Sequence, residues 1–528
     1  MGLGGYKWTR FEADRYSEIV RTALENGVTV LEAGQEGGDA ALATAIRTAF
    51  EANPKLVNPK QPITILQRVG YRTILLPEEA DQEETTAAEK EEKSDNNVDP
   101  LSSSLAGDVL VEEQENVAGV KGEHRAHVLH NLSPHYLKES LVTQHPSPFF
   151  QLQKDYGVDV LRLTVMLHNP EAHALDKLDT ADSQSKIQST LVHAFLALQE
   201  LVDDPDNTLI HSFGIVSNGL GLPSDHPLFL SPTTVLSALA TAQEQLGRPL
   251  AFEVVQLPVN LLETNGRIVA QKLHAASRTT KETMIPPLQV YAMRPLASYT
   301  DLGTGTGHPF VLADYKLPAT MDKTEASMKW TNQMNAPPAV YELALKSAMA
   351  HFDATDIIQA KLDGKELTSE ERETLDGCKL LQSLLHDVDH GLDKLRSFAA
   401  HEQDLVQKII PLIHDTFEGY DAETAKVLQS FFGAYSMAVR YAIAKNTRKL
   451  LKEGEPNSNI PKFADLEQET RLQEYALKYV LDEPAIDKVI LNCTEADQVL
   501  DNIEIFRKLL GQGKKSHDNG QSDNSEKL

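Results

Sequence analysis

A histidine stands where a predicted buried strand ends. The run VDVLRLTVMLHNPE covers residues 158–171, and its apolar part leads directly into His168, Asn169, Pro170 and Glu171. A continuous apolar run of this length is typical of a strand buried on both faces, as in parallel sheets. Pro170 ends the strand because proline cannot donate to a sheet ladder. The pattern predicts a titratable imidazole at the carboxyl end of a buried strand, where α/β folds carry out their chemistry.

The rest of the chain supplies the elements that must position this histidine. Strand-like runs alternate with helical periodicity through the first 300 residues or so and once more near the C-terminus. Eight such strand–helix units predict a parallel (β/α)₈ barrel. The predicted strands lie in GLGGYKW, VTVLEAG, ITILQRVGY, VDVLRLTVMLH, LIHSFGIVS, AFEVVQLPVN, LQVYAMRPL and AIDKVILNC.

The chain of 528 residues is much longer than such a barrel, which takes about 250 residues. We expect barrel units one to seven in residues 1–321, interrupted at 77–123 by an acidic, aromatic-poor insertion that is predicted to be disordered. Residues 322–465 carry heptad-like apolar stripes and no strand candidate, which predicts a helical insertion. The last helix–strand–helix follows in 466–510, and 511–528 is predicted to be a disordered tail.

The helical insertion leaves the chain after the seventh predicted strand, at the carboxyl end of that strand. This end of a (β/α)₈ barrel carries the active site, so we expect the insertion to cap the mouth of the barrel and to restrict the choice of substrate. A dimer interface is the alternative for its apolar stripes.

The composition limits the partners and the compartment. The formal net charge is −27, from 50 basic and 77 acidic residues, which argues against general binding to nucleic acids or to anionic membranes. Cys378 and Cys493 lie far apart in the sequence and form no CxxC motif, which favours a reducing compartment without disulfides. No apolar run has membrane-spanning length, and the N-terminal segment resembles neither a signal peptide nor a transit peptide. We expect a soluble, intracellular protein, most simply a cytoplasmic one.

A group of histidines precedes the fourth predicted strand. Their positions, His124, His127, His130 and His135, fit no closed zinc pattern, so we interpret them as solvated loop histidines and predict no metal site.

The ordered set of segments resembles the aldo-keto reductases, NADP-dependent (β/α)₈ barrels that reduce aldehydes and ketones. The resemblance runs through GLGGYKW, HNPE, FGIVSN, VVQLPVN, RPL and QVLDNI. It leaves out the acidic insertion, most of residues 322–465 and the tail. No GxGxxG fingerprint is present in the sequence, which agrees with a barrel and disfavours a Rossmann domain.

The resemblance implies a set of catalytic positions. His168 matches the histidine of the family, Glu32 stands at the position of its aspartate, and Arg68 stands at the position of its lysine. Gly37 occupies the position of the tyrosine that gives the carbonyl oxygen its proton, and a glycine has no proton to give. Glu32 and Arg68 either form part of the catalytic site or are only an ion pair at the mouth of the barrel.

Another group must then supply the proton if a carbonyl is reduced. The sequence offers His168, or a water that it orients, as the first candidate. Tyr6 and Tyr71, each near the end of a predicted barrel strand, are the alternatives.

The resemblance also implies NADP or NAD as the cofactor. The positions that would hold it are Gly5, Tyr6, Ser217, Asn218, Gln256, Arg294, Leu296, Asp501 and Asn502. In the loop after the eighth strand, Asn492 and Thr494 replace a glycine and a basic residue of the family, so the usual partner of the 2′-phosphate is absent there.

Two functions follow from these patterns. The first is an aldo-keto reductase-like NAD(P)-dependent oxidoreductase that acts on a small carbonyl or alcohol with non-standard catalytic residues. The second is a catalytically silent barrel of the same kind, a pseudoenzyme that binds a nucleotide or a protein partner.

Overall fold

The computed structural model describes residues 1–5, 13–33, 38–75, 109–115, 125–143, 147–174, 180–278, 287–299, 310–313, 330–395, 422–454, 462–466 and 471–518. Tyr6, Gly37, most of the acidic segment and the end of the tail lie outside this described part. The chain divides into two compact units. The first comprises Met1–Val259, Glu263–Pro295 and Val480–Leu528, and the second comprises Asn260–Leu262 and Leu296–Tyr479.

The strands of the described residues are numbered in chain order. They are β1 (Gly2–Gly4), β2 (Val30–Glu32), β3 (Ile63–Val69), β4 (Tyr71–Leu75), β5 (Val109–Glu115), β6 (Arg125–His130), β7 (Leu161–His168), β8 (Ile210–Val216), β9 (Phe252–Pro258), β10 (Gln289–Met293), β11 (Ala297–Ser298), β12 (Phe310–Val311) and β13 (Lys488–Asn492).

Eight of these strands close a parallel barrel in the order β1-β13-β10-β9-β8-β7-β3-β2. Each of the eight segments predicted to form a barrel strand contains one of them. The prediction of a (β/α)₈ barrel is therefore confirmed.

The inner face of the barrel follows from the two-residue period of its strands. Val30, Leu66, Met166, Val254 and Ile490, each from a different strand, belong to one buried cluster. Residues two positions apart face the same side of a strand. The next inward positions along these strands, at or near their carboxyl ends, are Glu32, Arg68, His168, Gln256 and Asn492. Inside the barrel, a layer of polar side chains therefore lies directly above the apolar layer, toward the carboxyl ends of the strands.

The helices are also numbered in chain order. They are α1 (Ala13–Glu25), α2 (Gly38–Ala52), α3 (Pro134–Lys138), α4 (Pro148–Tyr156), α5 (Thr180–Asp203), α6 (Pro232–Leu246), α7 (Asn265–Arg278), α8 (Trp330–His351), α9 (Thr355–Leu362), α10 (Ser369–Gly391), α11 (Ala422–Glu453), α12 (Leu472–Leu481) and α13 (Ala496–Asp518). Single 3₁₀ turns occur at Pro54–Leu56, Pro170–Ala174, Gly219–Gly221 and Leu392–Lys394, and a π turn at Glu139–Thr143.

The local sequence determines where helix α3 begins. Serine is favoured as an N-cap residue, and proline is favoured at the first helical position. The Ser133 hydroxyl accepts a hydrogen bond from the Tyr136 amide at 3.3 Å, and Pro134 occupies the first turn.

A three-stranded antiparallel sheet, in the order β4-β6-β5, is inserted between barrel strands β3 and β7. Its strand β5 lies inside the acidic segment for which the composition predicted no structure, and backbone pairing with β6 provides its partner. Gly70 turns the chain from β3 into β4 with a φ of +134°, a conformation that favours glycine. A Cβ at this position would also lie 3.0 Å from His130 Nε2.

The sheet corrects one interpretation of the sequence. His130 is not a solvated loop histidine: it ends β6 opposite Tyr71, and it is fully buried. The Asn131 amide donates to the Gly70 carbonyl at 2.7 Å, so the end of β6 lies beside the carboxyl end of β3, which the histidine spacing alone does not reveal.

The second unit has its own apolar core. Side chains of α8, α10 and α11 pack together there, with Tyr341, Leu385, Phe431 and Val439 among the buried members. The role of this unit as a cap stays a prediction. Within the described helices of the whole chain, none combines the length and apolarity needed to cross a bilayer.

Gly214 of β8 provides a test of barrel packing. A Cβ at this position would lie 2.1 Å from the backbone oxygen of Val254 on the neighbouring strand, so the strand pair must shift to accept one. We expect Gly214→Ala to lower the free energy of unfolding by about 2–3 kcal/mol, the usual cost of overpacking. Urea denaturation of the full chain measures this loss.

Gly511 of α13 is the matched control, since a Cβ there meets nothing within 4 Å. Gly511→Ala should leave stability unchanged or raise it by up to about 1 kcal/mol, because alanine favours a helix more than glycine does. Equal midpoints for the two variants would contradict the close strand contact.

Candidate active site

A buried ion pair lies at the carboxyl ends of β2 and β3. The Arg68 guanidinium donates to Glu32 Oε1 from both Nε, at 3.0 Å, and Nη2, at 2.8 Å. The side chains of Arg68 and Glu32 are only 7% and 2% exposed. A charge that is buried to this degree must be paired and hydrogen-bonded. The predicted Glu32–Arg68 pair therefore forms, and it is shielded from water.

His168 joins this pair through Nη1, the third nitrogen of the Arg68 guanidinium. Arg68 Nη1 and His168 Nε2 are 3.2 Å apart. Guanidinium nitrogens only donate, so Nε2 is the acceptor and the ring proton of neutral His168 resides on Nδ1. Burial, followed by the charges of Arg68 and of His130, lowers the pKa of His168 well below its usual value. His168 is thus a neutral acceptor toward Arg68, which makes Nε2 unsuited to donate a proton in this geometry.

Gln256 extends the network from β9. Its amide nitrogen donates to Glu32 Oε1 at 2.7 Å, so this oxygen accepts from both Arg68 and Gln256. The Gln256 Oε1 atom is buried, and within the described residues it has no hydrogen-bond partner. An unpaired buried acceptor costs free energy, so this oxygen is suited to receive an N–H or O–H group from a bound molecule.

A second set of groups surrounds His168 from the inserted sheet. The His130 Nε2–H group donates to the main-chain oxygen of His168 at 2.6 Å. The Tyr71 ring packs edge-on against both imidazoles, with centroid distances of 4.6 Å to His130 and 5.0 Å to His168. Burial, supported by the neighbouring His173, lowers the pKa of His130 to about 3, so its ring is neutral. The insertion therefore contributes a phenol and a neutral imidazole to the candidate site.

Asn169 links this set to the loop after β8. Its Nδ2 donates to the Tyr71 hydroxyl at 3.2 Å, and its Oδ1 accepts from the Asn218 amide at 3.0 Å. The backbone of Asn169 has a φ of +50°, which is rare for a residue other than glycine. Conformations of this kind persist where the surrounding structure enforces them, often at functional sites.

A buried carboxylate holds the turn after β7 to the loop after β8. Glu171 accepts hydrogen bonds from the Ser217 hydroxyl at 2.8 Å and from the Gly219 amide at 2.7 Å. Ser217 Oγ in turn accepts from the Leu220 amide at 3.2 Å. Burial raises the pKa of Glu171 to about 7, although its hydrogen bonds oppose the rise.

The other predicted cofactor residues have structural partners of their own. Arg294, with a φ of +56°, donates from Nη2 to Glu263 at 2.6 Å. Asp501 and Asn502 are buried in α13, where Asn502 Nδ2 lies 3.5 Å from Cys493 Sγ. Gly5 is buried directly after β1. Leu296 belongs to the second unit, where its carbonyl accepts from the Leu312 amide.

The structure thus brings together Glu32, Arg68, His168 and Gln256, all of which the sequence analysis selected. It adds His130, Asn169 and Glu171, which the sequence analysis did not select as site residues. Asn169 and Glu171 stand in the HNPE segment itself, so its polar residues were a usable signal. His130 gave no such signal, because its place depends on the pairing of β6 with β4.

Removal of one partner tests how much the fold depends on the buried ion pair. We expect Glu32→Ala to lower the free energy of unfolding by about 3–5 kcal/mol, because Arg68 remains as a buried charge without its carboxylate. Asp155→Ala is the control, since its ion pair with Arg47 lies about one-third exposed at the surface. That loss should stay below about 1 kcal/mol in urea denaturation. Similar losses in the two variants would contradict a buried, interdependent pair.

Glu171 makes the stability depend on pH. Its folded pKa of about 7 lies above the unfolded value of 4.5, so the folded state holds the proton more tightly. The contribution of Glu171 to stability should therefore fall as pH rises from 4.5 to about 7, whereas the lowered pKa values of His168 and His130 act in the opposite direction below pH 6.5. Glu171 alone accounts for about 3 kcal/mol of this fall. Asp39, whose pKa burial raises to about 7, adds a slope of the same sign.

Glu171→Gln should remove this contribution, so that stability falls less, or rises more, between pH 4.5 and 7 than in the wild type, as recorded by denaturation curves across the range. Glu244→Gln, at an exposed glutamate of α6, is the control and should leave the slope unchanged. An identical slope in the wild type and in Glu171→Gln would rule out the proposed ionisation of Glu171.

Comparisons with known proteins give only distant likenesses. No protein-family model and no curated protein matches the chain. Among solved structures, the chain is similar to the aldo-keto reductase AKR11C1 from Bacillus halodurans in its holo form, with 12% identity and a TM-score of 0.36 over 96% of this chain and 86% of that chain. It is also similar to the glycerol dehydrogenase AKR11B4 from Gluconobacter oxydans, with 14% identity and a TM-score of 0.30 over 69% of this chain and 75% of that chain. The strand pairing of this chain establishes the barrel by itself.

Proposed function

We propose that this protein is an aldo-keto reductase-like oxidoreductase that interconverts a small carbonyl compound and its alcohol with a nicotinamide nucleotide. The observation that carries the proposal is the place of Tyr71. This phenol begins β4 directly after barrel strand β3, packs on His168, and accepts a hydrogen bond from Asn169. A proton donor of the required chemical type therefore stands beside the histidine, although the matching family position is Gly37.

The residues divide the work of carbonyl reduction as follows. Charge develops on the carbonyl oxygen as its carbon is reduced, so a nearby acid must protonate that oxygen. Tyr71 donates this proton, and the resulting phenolate keeps its hydrogen bond from Asn169. Arg68 is a fixed cation, since a guanidinium stays protonated in proteins. His168, neutral and bonded to Arg68, supports the Tyr71 ring and does not act as the acid.

The side chains fit one end of a nicotinamide nucleotide. The buried Gln256 Oε1 offers an acceptor to the N–H of a carboxamide, and Asn218 stands half-buried on the adjoining loop. When bound, the reduced nucleotide supplies the hydride. At the phosphate end, Arg294 is paired with Glu263, and Thr494 occupies the position of the family's basic residue. This donor set offers nothing specific to the 2′-phosphate, so both NADH and NADPH are candidates.

A silent barrel is the second candidate, and one observation favours it. Glu32, Arg68, His168 and Gln256 bind one another in a single buried network. These side chains satisfy one another's charges and hydrogen bonds without a ligand. A structural role alone therefore accounts for their presence. In this case the mouth of the barrel binds a nucleotide or a protein partner without turnover.

Two measurements separate these functions. NADH and NADPH are first titrated against the full chain by fluorescence, and oxidation of each nucleotide is then followed over a panel of aldehydes and ketones. Turnover supports the oxidoreductase. Binding without turnover supports the silent barrel, and the absence of binding excludes a dinucleotide site in both.

Tyr71→Phe tests the proton donor. We expect kcat to fall by about 10²–10⁴-fold, the contribution typical of general acid catalysis, while the nucleotide Kd changes little. Tyr475→Phe is the control, since it removes a hydroxyl that is bonded to Asp465 in the second unit. An unchanged kcat in Tyr71→Phe would exclude Tyr71 as the acid.

His168→Ala addresses the histidine separately. We expect it to abolish most of the turnover, because it removes the acceptor of Arg68 and the ring that supports Tyr71. A normal rate in this variant would remove His168 from the mechanism.

A further inference from the structure

We propose that Asn169 is a positioning residue that sets the direction of the Tyr71 phenol proton. This inference rests on the proposed function, because it concerns the acid assigned there. It gives a role to a residue that neither the barrel fold nor the catalytic positions of the sequence analysis require.

The orientation of the Asn169 amide is fixed by a backbone group. The Asn218 N–H can only donate, so the atom that faces it at 3.0 Å must be the amide oxygen of Asn169. The amide nitrogen therefore faces the Tyr71 hydroxyl at 3.2 Å and must be the donor there. Because the phenol oxygen accepts this proton, its own proton points away from Asn169.

The backbone holds Asn169 in this position against its conformational preference. Its φ is +50°, and three main-chain contacts enclose the turn. His130 donates to the carbonyl of His168, the Asn169 amide donates to Val216 at 2.8 Å, and the Ala172 amide donates to Asn169 at 2.9 Å. Asparagine tolerates this region of backbone conformation better than most residues do. The turn therefore presents an amide where other side chains would be strained.

The hydrogen bond from Asn169 acts on Tyr71 both as the protonated phenol and as the phenolate. Before transfer, the Asn169 amide occupies one lone pair of the phenol oxygen and leaves the O–H directed elsewhere. After transfer, the O–H bond of Tyr71 is broken, a new O–H bond has formed on the former carbonyl oxygen, and the phenolate carries the negative charge. A hydrogen bond to the charged form favours that form, so the Asn169 amide makes Tyr71 a stronger acid.

Asn169→Asp is the sharpest test because it keeps the shape and reverses the hydrogen bond. An aspartate still accepts from the Asn218 amide, but it offers the phenol an acceptor and a negative charge in place of a donor. We expect the pKa of Tyr71 to rise by about 1–3 units, so that at a given alkaline pH the ionised fraction falls at least about tenfold. Ultraviolet titration of tyrosinate measures this, with the matching Tyr71→Phe protein subtracted to isolate Tyr71.

Asn169→Gly provides a second variant that accepts the backbone conformation and lacks the amide. It should raise the pKa of Tyr71 in the same direction by a smaller amount, while far-ultraviolet circular dichroism stays unchanged. Asn53→Asp, at the half-buried N-cap of the Pro54–Leu56 turn, should leave the titration of Tyr71 unaltered. If both Asn169 variants titrate Tyr71 as the wild type does, Asn169 is not its positioning residue.

The two proposals can fail independently. If Asn169→Asp raises the pKa of Tyr71 and no carbonyl compound is turned over, the positioning stands and the oxidoreductase does not. If turnover is found, the alkaline limb of the kcat profile should move upward in Asn169→Asp together with the spectroscopic titration. A limb that stays in place while the titration moves would show that Tyr71 is not the acid whose proton limits the rate.

Discussion

The candidate site depends on the neutralisation of one buried guanidinium. Arg68 lies inside the carboxyl end of the barrel, where an unpaired charge would cost several kcal/mol. Glu32 supplies the opposite charge, and His168 Nε2 accepts a hydrogen bond from Arg68 Nη1. Gln256 donates a further hydrogen bond to the Glu32 carboxylate. These requirements fix the rotamer of each partner and the tautomer of His168. The site therefore has few alternative arrangements, and a ligand meets groups that are already oriented.

The same requirement occupies the inward positions of the barrel, so in the proposed mechanism the acid comes from outside this layer. The inward positions at the ends of β2, β3, β7 and β9 are committed to the ion pair and its neighbours. The inserted β4-β6-β5 sheet adds the phenol of Tyr71, which none of these positions carries, and a second imidazole, that of His130. The inserted sheet thus places two of its side chains against His168 of the candidate site.

Much of this arrangement was readable in the sequence, and the exceptions have a common physical cause. The eight barrel strands follow from apolar runs, and the resemblance to the aldo-keto reductases selected Glu32, Arg68, His168 and Gln256. These are local patterns. The burial of His130 depends on long-range antiparallel pairing, and the amide orientation of Asn169 depends on the backbone amide of Asn218, in the loop after β8. Strand β5 was hidden for a similar reason, since its acidic composition predicts solvent while its backbone finds a partner in β6.

The place of the insertion also has a consequence for folding. Strands β3 and β7 are neighbours in the barrel, yet a long segment of chain separates them, and closing a long loop carries an entropic cost. The pairing of Tyr71 with His130 closes the first part of this segment, so only residues 131–160 remain as the loop between this pair and β7. The same pairing carries both side chains to His168. Weakening the sheet would therefore slow the closure of the barrel and misplace the phenol at once, which couples the rate of folding to the assembly of the site.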